Sequence, residues 1–208
     1  MSDLSSIARF AALGVATTAE AAGGSGLVAG PFLRSVPGAR AAGPARTALC
    51  GPADNLAAHR LLETIQAGEV VVLVPSEPRP VAVIGELMTL QAQVRAAAAV
   101  LVDGPVRDSD ELAGLGIAVW ARSYEPAGPG KGVPGQVDVP VTVGGVRIEP
   151  GDVVVLDGDG AAVVPQARVA EVLAAAEERA AWEAEIRRRL AAGEATVDVL
   201  GLRRAPAM

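Results

Sequence analysis

The first half of the chain alternates between apolar runs and stretches with helical spacing. GPARTALC at 43–50 predicts a strand, and the β-branched run 70–74 predicts a buried one. Between them, residues 55–67 place leucine and isoleucine at helical spacing after Asp54 and stop at Gly68, which predicts a helix. This pattern is typical of an α/β domain.

A strand–helix–strand unit is predicted in the middle of the chain. Residues 81–84 are an apolar run, 86–98 have a helix-like pattern, and 100–102 are apolar again. This order implies parallel strands with a right-handed crossover. Ligands of such units collect at the carboxyl ends of strands, where Gly85 and Asp103–Gly104 lie.

The pattern becomes that of a β-meander after a Gly/Pro-rich loop, 123–135, that carries Lys131. Short alternating or β-branched runs then follow, separated by Gly-Gly, Pro-Gly and Gly-Asp-Gly turns. The predicted strands of the meander are 137–143, 146–148, 152–156 and 161–164. Before the loop, a short helix is predicted at 109–115 and a strand at 117–121.

One long helix is predicted for 166–192. Its charge-rich second half, EERAAWEAEIRRR, is expected to project beyond the domain, either as a solvated face or as a subunit contact.

Two short helices are predicted at the N-terminus, one closed by Gly14 and one over 17–22. Glu20 lies in the second, where the pattern alone indicates a solvated position. The only histidine, His59, has no second nitrogen or sulfur ligand nearby in the sequence and is interpreted as structural.

Composition narrows the classes of protein. The 208 residues fit one domain, and with only 2% aromatic residues the core must be built from Val, Leu, Ile and Ala. A net charge of −6 disfavours nucleic acid or an anionic membrane as the main partner. A lone cysteine, Cys50, excludes an intrachain disulfide framework and a multi-cysteine zinc site. Neither a signal peptide nor a membrane span is recognisable, so a cytoplasmic protein is expected.

Charge is concentrated at residues 107–111, Arg-Asp-Ser-Asp-Glu, directly after a predicted strand. A small keto acid could use the backbone amides of residues 85–88 for its carboxylate, since a helix N-terminus offers free N–H groups. Asp108 with waters suits Mg²⁺ or Mn²⁺, and Arg107 offers a permanent positive charge to an enolate. The alternative is that this charged run only caps the next helix and pairs within itself.

GELMTLQAQVRAAAAVLVDGPVRDSDEL resembles the signature of the class II pyruvate aldolases of the RraA-like superfamily. That signature is an acid, twenty intervening residues, Arg-Asp, two further residues and an acid. Here Glu86, Arg107, Asp108 and Glu111 match it, with Glu86 where the family often has Asp. Other segments resemble the family in the same order: TAEAAGGSGLVAG, GPARTALCGPADNLAAH and GPGKGVPGQVDVPVTVGGVRIEPGDVVVLDGDGAAVVP.

The resemblance implies a fold and an activity. The fold is an α/β protein of the β/β/α swivelling-domain sandwich type over residues 1–208, with 166–208 as a C-terminal helix and tail that contacts another subunit. The activity is Mg²⁺- or Mn²⁺-dependent cleavage of a 4-hydroxy-2-keto acid to release pyruvate. Decarboxylation of oxaloacetate is expected through the same metal-stabilised enolate. Homotrimers or homohexamers are implied, with sites at subunit interfaces.

The resemblance also implies roles for individual residues. Asp108 is the direct metal ligand, while Glu86 and Glu111 act through metal-bound waters. Arg107 contacts the keto oxygen, and Glu20 and Glu183 are acids lent to a neighbouring subunit for proton transfer. The backbone amides that hold the substrate carboxylate come from Gly85, Glu86, Leu87 and Met88.

Two alternative functions are weighed against the lyase hypothesis. One is a non-enzymatic regulator of ribonuclease E type, which acts by protein contact; such members of the superfamily tend to lack the complete motif found here. The other is a methyltransferase, which is disfavoured because the sequence has no glycine-rich S-adenosylmethionine loop followed by a ribose-binding acid.

Overall fold

The computed structural model describes residues 4–204, with side chains from residue 6 to residue 203. The remaining terminal residues of the predicted 1–208 domain and of its 166–208 tail lie outside this part. Helices and strands follow one another along the chain, so the predicted α/β class is confirmed. Within residues 4–204, no helix has both the length and the apolar character needed to cross a membrane.

Helix α1, Leu4–Ala21, is two helical pieces joined at Gly14, which has φ 84° and ψ 175°. The Val15 N–H that this break releases donates to the Asp157 carboxylate at 2.9 Å. A Cβ on Gly14 would lie 2.7 Å from the same carboxylate, so the position requires glycine. The two predicted N-terminal helices are therefore confirmed, including the glycine that separates them.

The other predicted helices and strands occur in the predicted order with shifted ends, except at 81–84 and 137–143, while the strand Leu33–Arg34 and the helix Thr196–Val199 were not predicted. The helices are α2 Leu56–Thr64, α3 Glu86–Val94, α4 Ser109–Gly114, α5 Val169–Ala191 and α6 Thr196–Val199. The strands are β1 Leu33–Arg34, β2 Ala41–Cys50, β3 Val70–Pro75, β4 Ala99–Val106, β5 Val119–Tyr124, β6 Gln136–Val137, β7 Val141–Val143, β8 Val146–Ile148, β9 Val153–Asp157 and β10 Gly160–Val164.

The main sheet has the strand order β1–β5–β4–β3–β2–β9–β10, with β6 also paired to β2. Strands β2 to β5 are mutually parallel, and the other pairings in this sheet are antiparallel. Strand β2 joins the two halves: its residues 41–44 pair with β9 and its residues 45–50 pair with β3. The predicted parallel core and the predicted meander thus share one long strand.

The buried apolar side chains form three clusters on the faces of this sheet. One cluster lies where α2, α3 and α4 cover one face of the parallel strands, and includes Leu61, Leu73 and Leu112. A second surrounds Trp120 under the β7–β8 hairpin, and a third packs α1 and the first half of α5 on β9 and β10. The second half of α5, residues 177–191, buries no side chain fully.

The predicted strand at 81–84 was wrong. Only Ile84 makes a β-bridge, to Val106, while β3 and β5 are the partners of β4 in the sheet. Prolines at 78 and 80 hold the approach to this segment in an irregular conformation. The crossover unit is therefore β3–α3–β4, and 81–84 is the connection that leads into α3.

The predicted strand 137–143 is also interrupted. It divides into β6 and β7 because Asp138, with φ 53°, and Pro140 cannot continue a strand ladder.

Candidate active site

Two segments meet at the carboxyl edge of the parallel strands. The bridge between Ile84 and Val106 puts the start of α3 beside the end of β4. The Arg107 N–H donates to the Ile84 carbonyl at 3.1 Å, which fixes the register of the two segments. Gly85 consequently lies against Arg107 and Asp108. Asp103–Gly104, predicted at a strand end, lie inside β4, which continues to Val106.

Asp108 has a left-handed backbone, φ 60° and ψ 49°, which is uncommon for a residue with a side chain. Its Oδ2 accepts the Glu86 N–H at 2.9 Å, and the Arg107 Nε lies 3.4 Å from the same oxygen. The carboxylate makes no capping bond to α4, although it directly precedes that helix. Capping of the next helix therefore does not account for Asp108.

Gly85 is required by this close approach. A Cβ there would lie 2.2 Å from Asp108 Oδ2 and 2.8 Å from Arg107 Cγ. Gly128 approaches the other end of the same arginine, since a Cβ on it would lie 2.7 Å from Arg107 Nη1. Two glycines thus leave room for the Arg107 side chain.

A cavity of about 270 Å³ opens over these residues. Its walls come from the first turn of α3 with Leu87 and Met88, from Arg107 and Asp108, from α2, and from the loop 128–131. The amides of Leu87 and Met88 lie in the first turn of a helix, where no carbonyl within the helix can accept them. The Glu86 N–H was predicted to bind the substrate carboxylate, but in this structure it donates to Asp108 Oδ2.

The start of α2 contributes Asn55, the residue before the helix, and α2 itself contributes His59, which the sequence interpretation had taken as structural. Asn55 is 3% exposed, and its Nδ2 donates to the Val83 carbonyl at 2.8 Å and approaches Met88 Sδ at 3.1 Å. Among the described residues, Asn55 Oδ1 and His59 Nε2 are buried without a hydrogen-bond partner. Burial, and then the charge of Lys131, lower the pKa of His59 below its ordinary value, while Asp54 opposes the shift. His59 is therefore neutral at pH 7.

The loop that carries Lys131 is fastened to the start of α2 by Asp54. The Asp54 Oδ2 accepts the N–H groups of Gly132 at 2.6 Å and Val133 at 3.1 Å, and its Oδ1 accepts that of Leu56 at 2.9 Å. Burial opposes ionisation of Asp54, but these N–H groups and the Lys131 charge hold its pKa below the ordinary value. Lys131 is the only lysine in a chain with seventeen arginines, a signal that was present in the sequence.

Four of the predicted acids lie outside the cavity walls. The Glu86 side chain is partly exposed at the start of α3, and Glu111 is exposed on α4. Glu20 and Glu183 belong to a different group, here called the α1–α5 charge cluster: Glu20, Arg179, Glu183 and Arg187. Arg179 forms ion pairs with Glu20 and with Glu183, and Arg187 pairs with Glu183 at 2.9 Å.

The donor set at the cavity fits a metal that takes most of its ligands from water and substrate. No three His, Cys, Asp or Glu side chains in residues 4–204 converge as a metal site. Among the residues that the structure describes, only Asp108 brings a carboxylate to the cavity, and its side chain is 35% exposed. One hard oxygen from the protein and room for waters suit Mg²⁺ or Mn²⁺, which retain water ligands, rather than a structural zinc.

Comparison with known proteins identifies the relatives of this fold. A family model for the RraA-like family, described as Aldolase/RraA, matches residues 14–163. A protein of Halalkalibacterium halodurans, provisionally named a 4-hydroxy-4-methyl-2-oxoglutarate aldolase, is 32% identical over 139 residues. The match covers 67% of this chain and 66% of that relative, so the chain spans just under two thirds of its length.

Solved structures carry different functional descriptions on the same fold. Streptomyces coelicolor RraAS2, described as an unusual member of the RNase ES inhibitor RraA protein family, has a TM-score of 0.76 and 28% identity, covering 87% of this chain and 95% of that one. A Geobacillus kaustophilus protein described as an S-adenosylmethionine:2-dimethylmenaquinone methyltransferase has a TM-score of 0.64 and 33% identity, covering 67% and 86%. The fold is therefore that of RraA proteins, as the sequence predicted.

Proposed function

Because this chain belongs to the RraA-like family, we propose that it is a carbon–carbon lyase that releases pyruvate from a 4-hydroxy-2-keto acid. The observation that carries the proposal is the convergence of Arg107, Asp108 and the free amides of α3 on one cavity. This arrangement provides a positive charge, a carboxylate and backbone donors around one cavity of about 270 Å³. Relatives provisionally named as aldolases support the same reaction class.

The carboxylate of the substrate would be held by the N–H groups of Leu87 and Met88, aided by the positive end of the α3 dipole. Arg107 would face the keto oxygen. In a retro-aldol cleavage the C3–C4 bond breaks and its electron pair moves into an enolate at C2–C3. The Arg107 guanidinium is a fixed cation for that developing negative charge and needs no reorganisation during the step.

Asp108 would hold Mg²⁺ or Mn²⁺ directly, with Glu86 and Glu111 orienting its waters. When bound, the metal would supply Lewis-acid polarisation of the keto group. The Asp108 carboxylate is itself positioned by the Glu86 amide and by Arg107. This pairing holds one oxygen in place and leaves Asp108 Oδ1 as the free ligand atom, since no bond to it is seen within residues 4–204.

Oxaloacetate would be decarboxylated in the same site. Loss of carbon dioxide from oxaloacetate leaves the same pyruvate enolate as the retro-aldol cleavage, so Arg107 would serve both reactions. Oxaloacetate carries no hydroxyl group on the carbon that departs, and this difference separates the two reactions experimentally.

Homotrimers or homohexamers are part of the proposal. Glu20 and Glu183 lie outside the walls of their own cavity, and Arg179 holds them together on the α1–α5 surface. As acids lent to the cavity of a neighbouring subunit, they would transfer protons during catalysis. A second subunit would then be required for full activity.

A non-enzymatic regulator of ribonuclease is the second candidate, favoured by the likeness to the RNase ES inhibitor family over 87% of the chain. The exposed, charged second half of α5 offers a surface for a protein partner. This function needs neither the cavity nor a metal, so the two candidates differ in what each requires.

The deciding experiment couples pyruvate release to lactate dehydrogenase. The substrates are a panel of 4-hydroxy-2-keto acids and oxaloacetate, each with and without Mg²⁺ or Mn²⁺. Metal-dependent release that EDTA abolishes is the expected result. Absence of pyruvate from every substrate, together with retention of ribonuclease E in a pull-down, would replace the lyase with the regulator.

A further inference from the structure

Asn55 presents a buried acceptor at the cavity with a defined orientation. Because its Nδ2 donates to the Val83 carbonyl, the amide cannot be turned over without placing two acceptors against each other. Its Oδ1 is therefore the free atom, and within the described residues no donor reaches it. A buried acceptor without a partner costs free energy that a ligand carrying a donor can recover.

His59 lies one helical turn after Asn55, on the same face of α2. Its backbone N–H donates to the Asn55 carbonyl at 3.1 Å, and both side chains line the cavity that contains Arg107. The His59 Nε2 is also buried without a partner among the described residues. A neutral imidazole nitrogen can donate or accept, according to its tautomer.

These two atoms fit a hydroxyl group and disfavour a carboxylate. Asn55 Oδ1 can only accept, so it would repel an anionic oxygen and would attract an O–H. The carboxylate of the substrate already has donors at the start of α3, on another wall of the cavity. The α2 wall is thus suited to the alcohol part of the same molecule.

We propose that the single C4 hydroxyl hydrogen of the hydroxy-keto acid is shared between Asn55 Oδ1 and His59 Nε2 in a three-centre hydrogen bond, and that His59 Nε2 takes this proton as the C3–C4 bond breaks. This inference rests on the proposed lyase function and adds the group that removes the proton. The hydroxyl O–H bond breaks, its proton passes to Nε2, and the oxygen forms the new C4 carbonyl. The C3–C4 electron pair becomes the enolate facing Arg107, so charge and atoms balance.

The neutral state of His59 at pH 7 agrees with this role, since a protonated imidazole could not accept the proton. The sequence pattern alone favoured a structural histidine, because it shows neither the cavity nor the missing partner. His59 is then a catalytic residue, and Asn55 a binding residue beside it.

The test compares two substrates in the same variant. His59→Gln keeps a polar group near the position of Nε2 but provides no base. It is expected to lower kcat for cleavage of 4-hydroxy-4-methyl-2-oxoglutarate by about 100-fold or more. Oxaloacetate decarboxylation, which removes no hydroxyl proton, should stay within about threefold of the wild type. Arg60→Gln, at the exposed next position of α2, is the matched control and should change neither rate.

His59→Leu and Asn55→Ser extend the test to binding. His59→Leu removes the hydrogen-bonding group, and Asn55→Ser replaces the amide with a shorter hydroxyl that does not reach the position of Oδ1. Each should therefore raise KM for the hydroxy-keto acid by about tenfold and leave KM for oxaloacetate nearly unchanged. Unchanged circular dichroism and Tm identify variants that fold, and His59→Gln remains the test if the other two do not.

The possible outcomes are distinct. Equal loss of both reactions in His59→Gln, or full retention of both, overturns the proposal while leaving the lyase function intact. If the wild-type protein releases pyruvate from neither substrate, the lyase function fails and this inference fails with it.

Discussion

Two charged regions of this molecule are built in opposite ways. At the cavity, Arg107 has Asp108 as its one ion-pair partner in the described chain, and Asn55 and His59 carry buried polar atoms without partners. In the α1–α5 charge cluster, each predicted acid is already paired: Glu20 with Arg179, and Glu183 with both Arg179 and Arg187. Arg179 Nε in this cluster is also buried without a hydrogen bond, but it lies 3.2 Å from Glu183 Oε1 in an ion pair, whereas Asn55 Oδ1 and His59 Nε2 have no partner of either kind in the described chain. Polar atoms left without a partner near a cavity indicate a ligand, whereas paired charges on a surface must first exchange their partners.

The two regions need different changes before their side chains can take part in catalysis. The cavity is organised by backbone: a glycine approach, a left-handed aspartate and a helix N-terminus hold Arg107 and Asp108 without help from another subunit. The acids of the surface cluster are partly exposed, with Glu20 at 55% and Glu183 at 27%. Surface ion pairs of this kind contribute about 0–1 kcal/mol, so a neighbouring subunit could displace them at small cost.

The largest expected effect comes from removing the charged pair of the cavity. Arg107→Ala and Asp108→Ala should each lower pyruvate release by about a thousandfold or more, because each removes a group acting directly on the reacting keto acid. Both side chains are partly exposed, so folding should persist and circular dichroism should be unchanged. Full metal-dependent decarboxylation of oxaloacetate by either variant would contradict the mechanism.

Gly85 gives the next largest effect and tests the close approach itself. In Gly85→Ala the new Cβ would displace Asp108 Oδ2 from the Glu86 amide, and a shift of about 1 Å costs roughly 100-fold in kcat/KM. Overpacking should also lower the free energy of unfolding by about 1–3 kcal/mol. Gly114→Ala is the control, because a Cβ there meets nothing within 4 Å. Activity of Gly85→Ala equal to that of Gly114→Ala would exclude the proposed geometry.

How much of this site the sequence could predict depends on the range of the contacts. Arg107, Asp108 and Gly85 lie near the ends of a local strand–helix–strand pattern, so periodicity and turn residues place them at one edge. The first strand of that unit was misplaced to 81–84, because a short apolar run that follows two prolines has the composition of a strand but has no free neighbour in the sheet. The error did not move Gly85, which follows the run in either case.

Asn55, His59 and Lys131 could not be placed by periodicity. They reach the cavity because Asp54 binds the backbone of residues 132 and 133, a contact across 78 residues of chain. No local pattern reports such a closure. Composition did give a hint, since the only histidine and the only lysine of the chain lie on this one cavity.

Mixing two variant subunits tests the role proposed for Glu20 in the α1–α5 charge cluster. If Glu20 transfers protons in the cavity of a neighbouring subunit, Glu20→Gln should lower the rate of pyruvate release by about tenfold or more, with little change in Tm. A sample refolded from equal amounts of Glu20→Gln and Asp108→Ala subunits should then regain about a quarter of the wild-type activity, since a quarter of the interfaces combine two intact halves. Mixed subunits no more active than the two separate variants would assign Glu20 to its own chain or to no catalytic role.

Lys131 provides the smallest effect and shows how closely the cavity charges interact. The charge of Lys131 disfavours a second positive charge on His59, so Lys131→Met should raise the pKa of His59 towards the ordinary 6.5. Because burial still lowers the pKa of His59 in the variant, the value should not exceed 6.5. The single imidazole makes this measurable by NMR titration without assignment. Arg187→Gln, in the α1–α5 charge cluster, is the matched control and should leave the titration unchanged.

The same shift has a consequence for stability. In the wild type, the pKa of His59 is lower in the folded state than in the unfolded chain, so protons favour unfolding. The free energy of unfolding should therefore fall as the pH drops below 6.5 towards the folded-state pKa. Lys131→Met narrows the gap between the two pKa values, so this loss on acidification should be smaller in the variant. An unchanged His59 titration in Lys131→Met would mean that the lysine charge does not reach the cavity, and the contrast between the two charged regions would then rest on Arg107 and Asp108 alone.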